Sequence, residues 1–157
     1  MENKVENNMQ KYDNYREQFN RLKKALKNEF YLEALFIEYA IIEDRAESIL
    51  RYEGNEIHSK DFVSLDRKLK KITKIAEQKK SLPNRYFSDD LIATVTNWKE
   101  ERNKLIHALM KQKLTTQELS DFAHSGYKLT RELTDRARNY KRAVERRKVK
   151  TVKNSKS

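Results

Sequence analysis

The amino-acid sequence predicts an all-α fold, an antiparallel bundle of four to five helices. Among the 157 residues only two are Gly and one is Pro. Because tight turns and hairpins depend on these residues, a sheet-rich fold is not expected. The chain is rich in Lys, Glu, Arg, Leu and Ala, and long stretches hold no helix breaker. This length suits one domain, which we assign to residues 1–140, with a basic, flexible tail over residues 141–157.

The positions of the helices follow from apolar residues that recur at intervals of three and four. We expect helices at about residues 8–27, 29–52, 61–80, 88–111 and from residue 115 onward. The second contains FYLEALFIEYAII, which is apolar almost all round, so it belongs at the centre of the bundle or at a subunit interface. The segment SLPNRYF is expected to be a short connection, and Thr115 with Glu118 forms a capping box for the last helix.

The positive charge of the chain is unevenly distributed. The formal net charge is +11, and the segment from Arg136 to Ser157 carries ten Lys or Arg residues and one acid, Glu145. Such a tail attracts polyanions, nucleic acid first and an acidic membrane surface or acidic protein second, although a solvated helix end that merely aids solubility has the same composition. The third helix also has a basic outer face. The predicted nucleic-acid-binding residues are Arg67, Lys68, Lys71, Lys141, Arg142, Arg146 and Arg147.

Several functional classes find no support in the sequence. The chain has no Cys, its three His residues have no recognisable ligand spacing, and no glycine-rich phosphate loop is present. We therefore expect no metal site and no cofactor. No run approaches the roughly 18 apolar residues of a membrane span, and MENKVENNMQ does not resemble a signal peptide. The expected location is cytoplasmic, with no membrane partner.

An arginine interrupts the apolar face of the fourth predicted helix. The stripe consists of Leu91, Val95, Trp98, Leu105 and Leu109. Its missing member, at the step between Trp98 and Leu105, is Arg102. Burying a guanidinium without a partner is costly, so this side chain must pair with a carboxylate or open onto a solvated cleft. The candidate structural partners are Glu43 and Asp44 on the central helix.

Two polar residues accompany Arg102 in the segment WKEERNKLIHALM. Asn103 and His107 are four residues apart, so they lie on adjacent turns of one helix face, and Arg102 flanks them. A fixed cation, an amide and a group that titrates near neutral pH suit a phosphate site. Arginine binds phosphate oxygens, and histidine serves as general acid or base. The structural alternative for Arg102 is a buried ion pair.

The stretch ERNKLIHAL resembles the signature of the HEPN superfamily, which is an arginine, four to six residues, and a histidine. A polar residue often follows that arginine, as Asn103 does here. The resemblance extends over about residues 8–140 in helical layout and about nine residues in motif. Within the superfamily the chain is most similar to small stand-alone proteins of bacterial toxin–antitoxin and phage-defence systems.

This resemblance implies metal-independent cleavage of RNA. The ribose 2′-hydroxyl would attack the adjacent phosphate, leaving a 2′,3′-cyclic phosphate and a 5′-hydroxyl end. His107 would transfer the proton, Arg102 would stabilise the phosphate charge, and Asn103 would orient the substrate or the histidine. The resemblance also implies a homodimer with a composite active site, since two chains would supply both an acid and a base.

Two other functions remain open from the sequence. One is a helical RNA-binding protein without catalytic activity, which would use the basic residues but not His107. The other is a protein-interaction module, such as an antitoxin or regulatory subunit, in which Arg102 belongs to a buried ion pair. Each of the three functions is compatible with a regulatory RNA or protein partner.

Overall fold

The computed structural model describes residues 4–54, 63–111 and 113–155, and over these ranges the chain is helical with connecting turns and no strand. This confirms the predicted all-α bundle. The helices are α1 (Lys4–Lys27), α2 (Tyr31–Tyr52), α3 (Leu65–Ala76), α4 (Leu82–Phe87), α5 (Leu91–Ala108) and α6 (Thr116–Asn154). Within these ranges, none of the helices is both long and apolar enough to cross a bilayer.

The sixth helix arises where the sequence predicted a connection. Helix α4 lies within SLPNRYF, because Ser81 accepts a hydrogen bond from the Asn84 backbone N–H at 3.1 Å and Pro83 occupies the first turn. The Asn84 side chain also donates to the carbonyl oxygen of Ala76 at 2.7 Å, which ties α4 to the end of α3. The prediction of four to five helices is therefore corrected to six in the described part of the chain.

Helix α2 lies at the centre of the bundle, as its composition predicted, and packs against α1, α3 and α6. Its fully buried side chains include Leu35, Ile42 and Ile49, each of which stabilises the fold by roughly 1.5–3 kcal/mol. Helices α2 and α6 run in the same direction. The Tyr31 ring lies 6.2 Å from the His124 ring at one end, and at the other end the Tyr140 hydroxyl donates to Glu53. Helix α5 runs back along α6, since Asp89, just before α5, contacts Arg136 and Trp98 lies close to Gly126.

Buried ammonium groups fix the position of α3. Lys68 is 4% exposed, and its Nζ lies 3.1 Å from Glu47 Oε2 and 3.4 Å from Glu43 Oε1 on α2. The prediction that Lys68 binds nucleic acid is therefore wrong, because the side chain is committed to carboxylates inside the bundle. Lys99 of α5 similarly contacts Asp66 of α3 at 2.7 Å.

Helix α6 is 39 residues long and extends the bundle at its C-terminal end. Its predicted capping box is confirmed, since Thr115 accepts from the Glu118 backbone and the Glu118 side chain accepts from the Thr115 backbone. The tail predicted as flexible over residues 141–157 is instead helical through Asn154. Buried residues occur along α6 as far as Val144, and the side chains of residues 145–155 are exposed.

Candidate functional site

Arg102 lies on α5 and contacts one side chain of α2 and one of its own helix. Its guanidinium carbon is 4.4 Å from the centre of the Tyr39 ring on α2, and its Nη1 donates to Asn103 Oδ1 at 3.4 Å. Its Nε is buried and has no hydrogen-bond partner among the described residues. Burial lowers the pKa of Arg102, and the nearby Tyr39 and Glu38 side chains act against that shift. The side chain is half-buried, so part of the cation still faces solvent.

The acidic side chain whose charge acts on Arg102 is Glu38, which the sequence pattern did not indicate. Glu38 is fully buried on α2, and neither of its carboxyl oxygens has a hydrogen-bond partner among the described residues. Burial raises the pKa of Glu38 to about 9, although the attraction of Arg102 opposes this. At neutral pH the Glu38 carboxyl is therefore protonated, and the Arg102 charge is not neutralised by a full ion pair.

Gly126 of α6 makes room for Glu38. A Cβ at position 126 would lie 2.8 Å from Trp98 Nε1 and 2.9 Å from Glu38 Cδ, and closer still to Glu38 Oε2. The Trp98 indole N–H is also buried without a partner among the described residues, and its ring stacks on Phe122 with centroids 5.7 Å apart. Helices α2, α5 and α6 thus meet around a cluster of buried polar groups. We call it the Glu38 cluster, consisting of Glu38, Trp98, Arg102 and Gly126.

The predicted anchors of Arg102 are wrong. Glu43 contacts Lys68, while Asp44 contacts Arg45 at 2.7 Å and accepts a hydrogen bond from the Tyr15 hydroxyl. Five or six residues separate these acids from Glu38, which turns them about 120–140° around α2 and away from α5. The sequence predicted a carboxylate of α2 for Arg102 but not the turn on which it lies.

Asn103 and His107 lie on the exposed side of α5, one turn apart. The His107 imidazole has no hydrogen bond, ion pair or ring contact with another residue in the part of the chain that the structure describes. Five residues separate His107 from Arg102, which corresponds to about 140° around the helix. Asn103 and His107 therefore share a face as predicted, whereas the guanidinium points towards α2 and the imidazole towards solvent.

Three large apolar side chains, on α2 and just after α5, are exposed. Leu32 and Phe36 of α2 are 46% and 70% exposed, and they continue the helical stripe that includes Tyr39. Met110, just after α5, is 95% exposed. Exposed apolar side chains that lie together can form a protein interface.

The remaining predicted nucleic-acid-binding residues fall into two regions. Arg67 and Lys71 are exposed on α3, whereas the others lie near the C-terminal end of α6. Lys141 and Arg142 line a groove of about 770 Å³ between α1 and α6. Arg146 and Arg147 follow on the same helix and are exposed. The groove has six further cations that were not predicted from the sequence, namely Lys11, Arg16, Lys23, Arg45, Arg131 and Arg138.

Among the described residues, His124 is the one other histidine, and it lies on α6 away from the α5 residues. His124 Nδ1 lies 2.8 Å from the carbonyl oxygen of Ser120 in the preceding turn, and His58 is outside the described residues. In the described ranges, no group of three or more His, Asp or Glu side chains is arranged to hold a metal ion. No protein-family model, no curated protein and no solved structure matches the chain.

Proposed function

We propose that the chain is a metal-independent RNA endonuclease in which Arg102, Asn103 and His107 form the active site. The observation that carries the proposal is the arrangement on α5, where an exposed imidazole and amide follow a guanidinium fixed against Tyr39. A cation held in place before the substrate arrives stabilises phosphate charge without reorganising during the reaction. An exposed imidazole can reach a ribose hydroxyl and accept its proton.

The proposed active form is a homodimer. His107 and Arg102 of one chain diverge by about 140°, so one chain alone does not surround a phosphate with both groups. A second copy docked on the apolar surface of Leu32, Phe36 and Met110 would bring a second imidazole to the same cleft. One His107 would then act as the base for the 2′-hydroxyl and the other as the acid for the leaving 5′-oxygen.

The test is cleavage of a mixed cellular RNA pool in EDTA. We expect the wild type to release fragments with 2′,3′-cyclic phosphate ends and His107→Ala to release none. His124→Ala is the matched control, because it removes an exposed histidine on α6 and should leave cleavage intact. Cleavage by His107→Ala at the wild-type rate would refute the proposal. So would a wild-type protein that does not cleave RNA at a concentration where it binds RNA.

The dimer has its own test. Phe36→Glu places a charge on the proposed interface without touching the core, since Phe36 is 70% exposed. We expect a wild-type dimer by light scattering, and a monomeric variant that binds RNA but does not cleave it. A wild-type monomer that cleaves RNA would contradict the composite site.

A second candidate function is a protein-interaction or RNA-binding module without catalysis, and the Glu38 cluster favours it. An arginine next to a buried acid and stacked on a tyrosine is a common way to fix helix packing, whether or not chemistry follows. In that case Arg102→Gln would lower the stability of the protein and His107→Ala would change neither stability nor RNA affinity. Loss of cleavage in His107→Ala, with stability unchanged, separates the two functions.

A further inference from the structure

The groove between α1 and α6 combines many cations with aromatic rings. Among its described lining residues, eight are Lys or Arg and two are Asp or Glu. The cations are Lys11, Arg16, Lys23, Arg45, Arg131, Arg138, Lys141 and Arg142. The groove shares no lining residue with the Glu38 cluster, so it is a separate feature of the molecule.

The cations form two rows along the groove. On α1 the lining residues recur at intervals of three and four from Asn8 to Lys23, and on α6 they recur in the same way from Arg131 to Glu145. Arg131 and Arg142 are separated by about 16 Å along the helix axis, so the positive charge forms a track rather than a single point. A track of this kind suits a ligand with regularly repeated negative charges.

The aromatic rings hold several cations in place. Arg45 lies 3.9 Å from the centre of the Tyr15 ring, Arg131 lies 5.5 Å from that of Phe19, and Lys141 lies 5.6 Å from that of Tyr52. Cations fixed in this way lose less side-chain freedom when they bind an anion.

Some lining groups remain available to a ligand. The side chains of Arg16, Lys23 and Arg142 form no ion pair with any residue that the structure describes. Tyr12 is 64% exposed, and its ring has no ring or cation contact in the described part of the chain. The groove therefore offers free positive charges next to a free aromatic face.

We propose that the α1–α6 groove binds single-stranded RNA, with its arginines and lysines on the phosphates and Tyr12 stacked on a base. Unstacked bases stack on aromatic faces, whereas a duplex keeps its bases inside. A membrane-binding helix buries an apolar face in the bilayer surface, which a groove lined by eight cations does not offer. The choice of RNA rests on the proposed ribonuclease function, but binding in the groove requires neither His107 nor cleavage.

The experiment measures binding of a labelled single-stranded RNA of about 12 nucleotides, by fluorescence anisotropy, to the full-length His107→Ala protein between about 50 and 200 mM salt. Tyr12→Ala is expected to weaken binding about tenfold, and Tyr12→Phe to bind as the parent does, because stacking needs the ring alone. Arg16→Gln with Arg142→Gln should lower the slope of log affinity against log salt by about 1.4, because each single-strand phosphate that is no longer neutralised accounts for about 0.7.

The matched control is Arg21→Gln with Arg85→Gln, which removes the same charge from exposed side chains of α1 and α4 that do not line the groove. We expect its salt slope to be unchanged. Equal reductions of the slope in the groove and control pairs would overturn the groove as the binding site. An unchanged affinity in Tyr12→Ala, or tighter binding to the matching RNA duplex or to phosphatidylserine vesicles, would overturn the assignment to single-stranded RNA. Since binding is measured without cleavage, failure of the nuclease leaves these outcomes intact.

Discussion

Glu38→Gln should remove a pH dependence of stability that the buried carboxyl imposes. The folded protein holds this carboxyl with a pKa of about 9, against an ordinary value of 4.5. Between these two values the folded state binds one more proton than the unfolded state, so the free energy of unfolding falls as the pH rises. Glutamine keeps the size of the side chain and cannot ionise.

The magnitude follows from the proton balance. One pH unit corresponds to about 1.4 kcal/mol for each proton, so wild-type stability should fall by about 3 kcal/mol between pH 5 and pH 7 relative to the variant. The fall begins near the ordinary pKa of 4.5 and ends near the folded pKa of about 9, above which the carboxyl is ionised in both states. The carboxyls whose pKa is lowered, Asp44, Asp66 and Glu118, lose their contribution at lower pH and do so equally in both proteins.

The assay is urea unfolding of the wild type and of Glu38→Gln, monitored by circular dichroism at intervals from pH 5 to pH 8. Subtracting the two curves removes the contribution of all groups that the two proteins share. A difference that stays constant within about 0.5 kcal/mol across this range would refute the reasoning. It would mean that Glu38 is ionised in the folded protein and forms a full ion pair with Arg102.

Two further changes test the packing around α2. Gly126→Ala should lower the free energy of unfolding by about 1–3 kcal/mol, because the new methyl group meets the Glu38 carboxyl. The exposed neighbour Ser125→Ala should change it by no more than about 0.5 kcal/mol, and equal changes for the two variants in urea unfolding would contradict the close approach. Lys68→Met should lower the free energy of unfolding by about 1–2 kcal/mol, since its two glutamate partners are partly exposed, and should leave RNA affinity unchanged. A decrease in RNA affinity would restore Lys68 as a phosphate ligand.

The helices were predictable where a strong periodic pattern or a local cap defines them. The central position of α2 follows from its apolar composition, and the start of α6 follows from the Thr115 and Glu118 pair, which depends on four consecutive residues. Helix α4 was missed because six residues are too few for an apolar period to appear. Its cap at Ser81 and its proline at Pro83 were the signals present in the sequence.

The candidate site was predictable along α5 but not across helices. The interrupted stripe identified Arg102 as an inward-facing cation, because that depends only on spacing within one helix. Its neighbour Glu38 could not be chosen over Glu43 and Asp44, since the choice depends on the rotation of α2 against α5. Gly126 was the available signal, because a glycine inside a long helix costs stability and therefore indicates a close approach.

The basic groove was not predicted because its charges come from distant segments. Arg16 of α1 and Arg45 of α2 have acids as neighbours in the sequence, so neither stands out by local charge. The tail, by contrast, is conspicuous in composition and attracted the prediction. Packing of α1 on α6 brings the cations together, and a sequence considered helix by helix does not contain that information.

The end of α6 beyond Val144 has a thermodynamic consequence of its own. These last turns have few neighbours to support them, so their helicity depends on backbone hydrogen bonds and on side chains of their own segment. Arg142, Arg146 and Lys150 follow one another at intervals of four, where like charges repel across each turn. An anion lying along this row would replace repulsion with attraction. Ordering of the helix end and binding of the anion are then thermodynamically linked, so a bound anion would slow amide hydrogen exchange in the final turns.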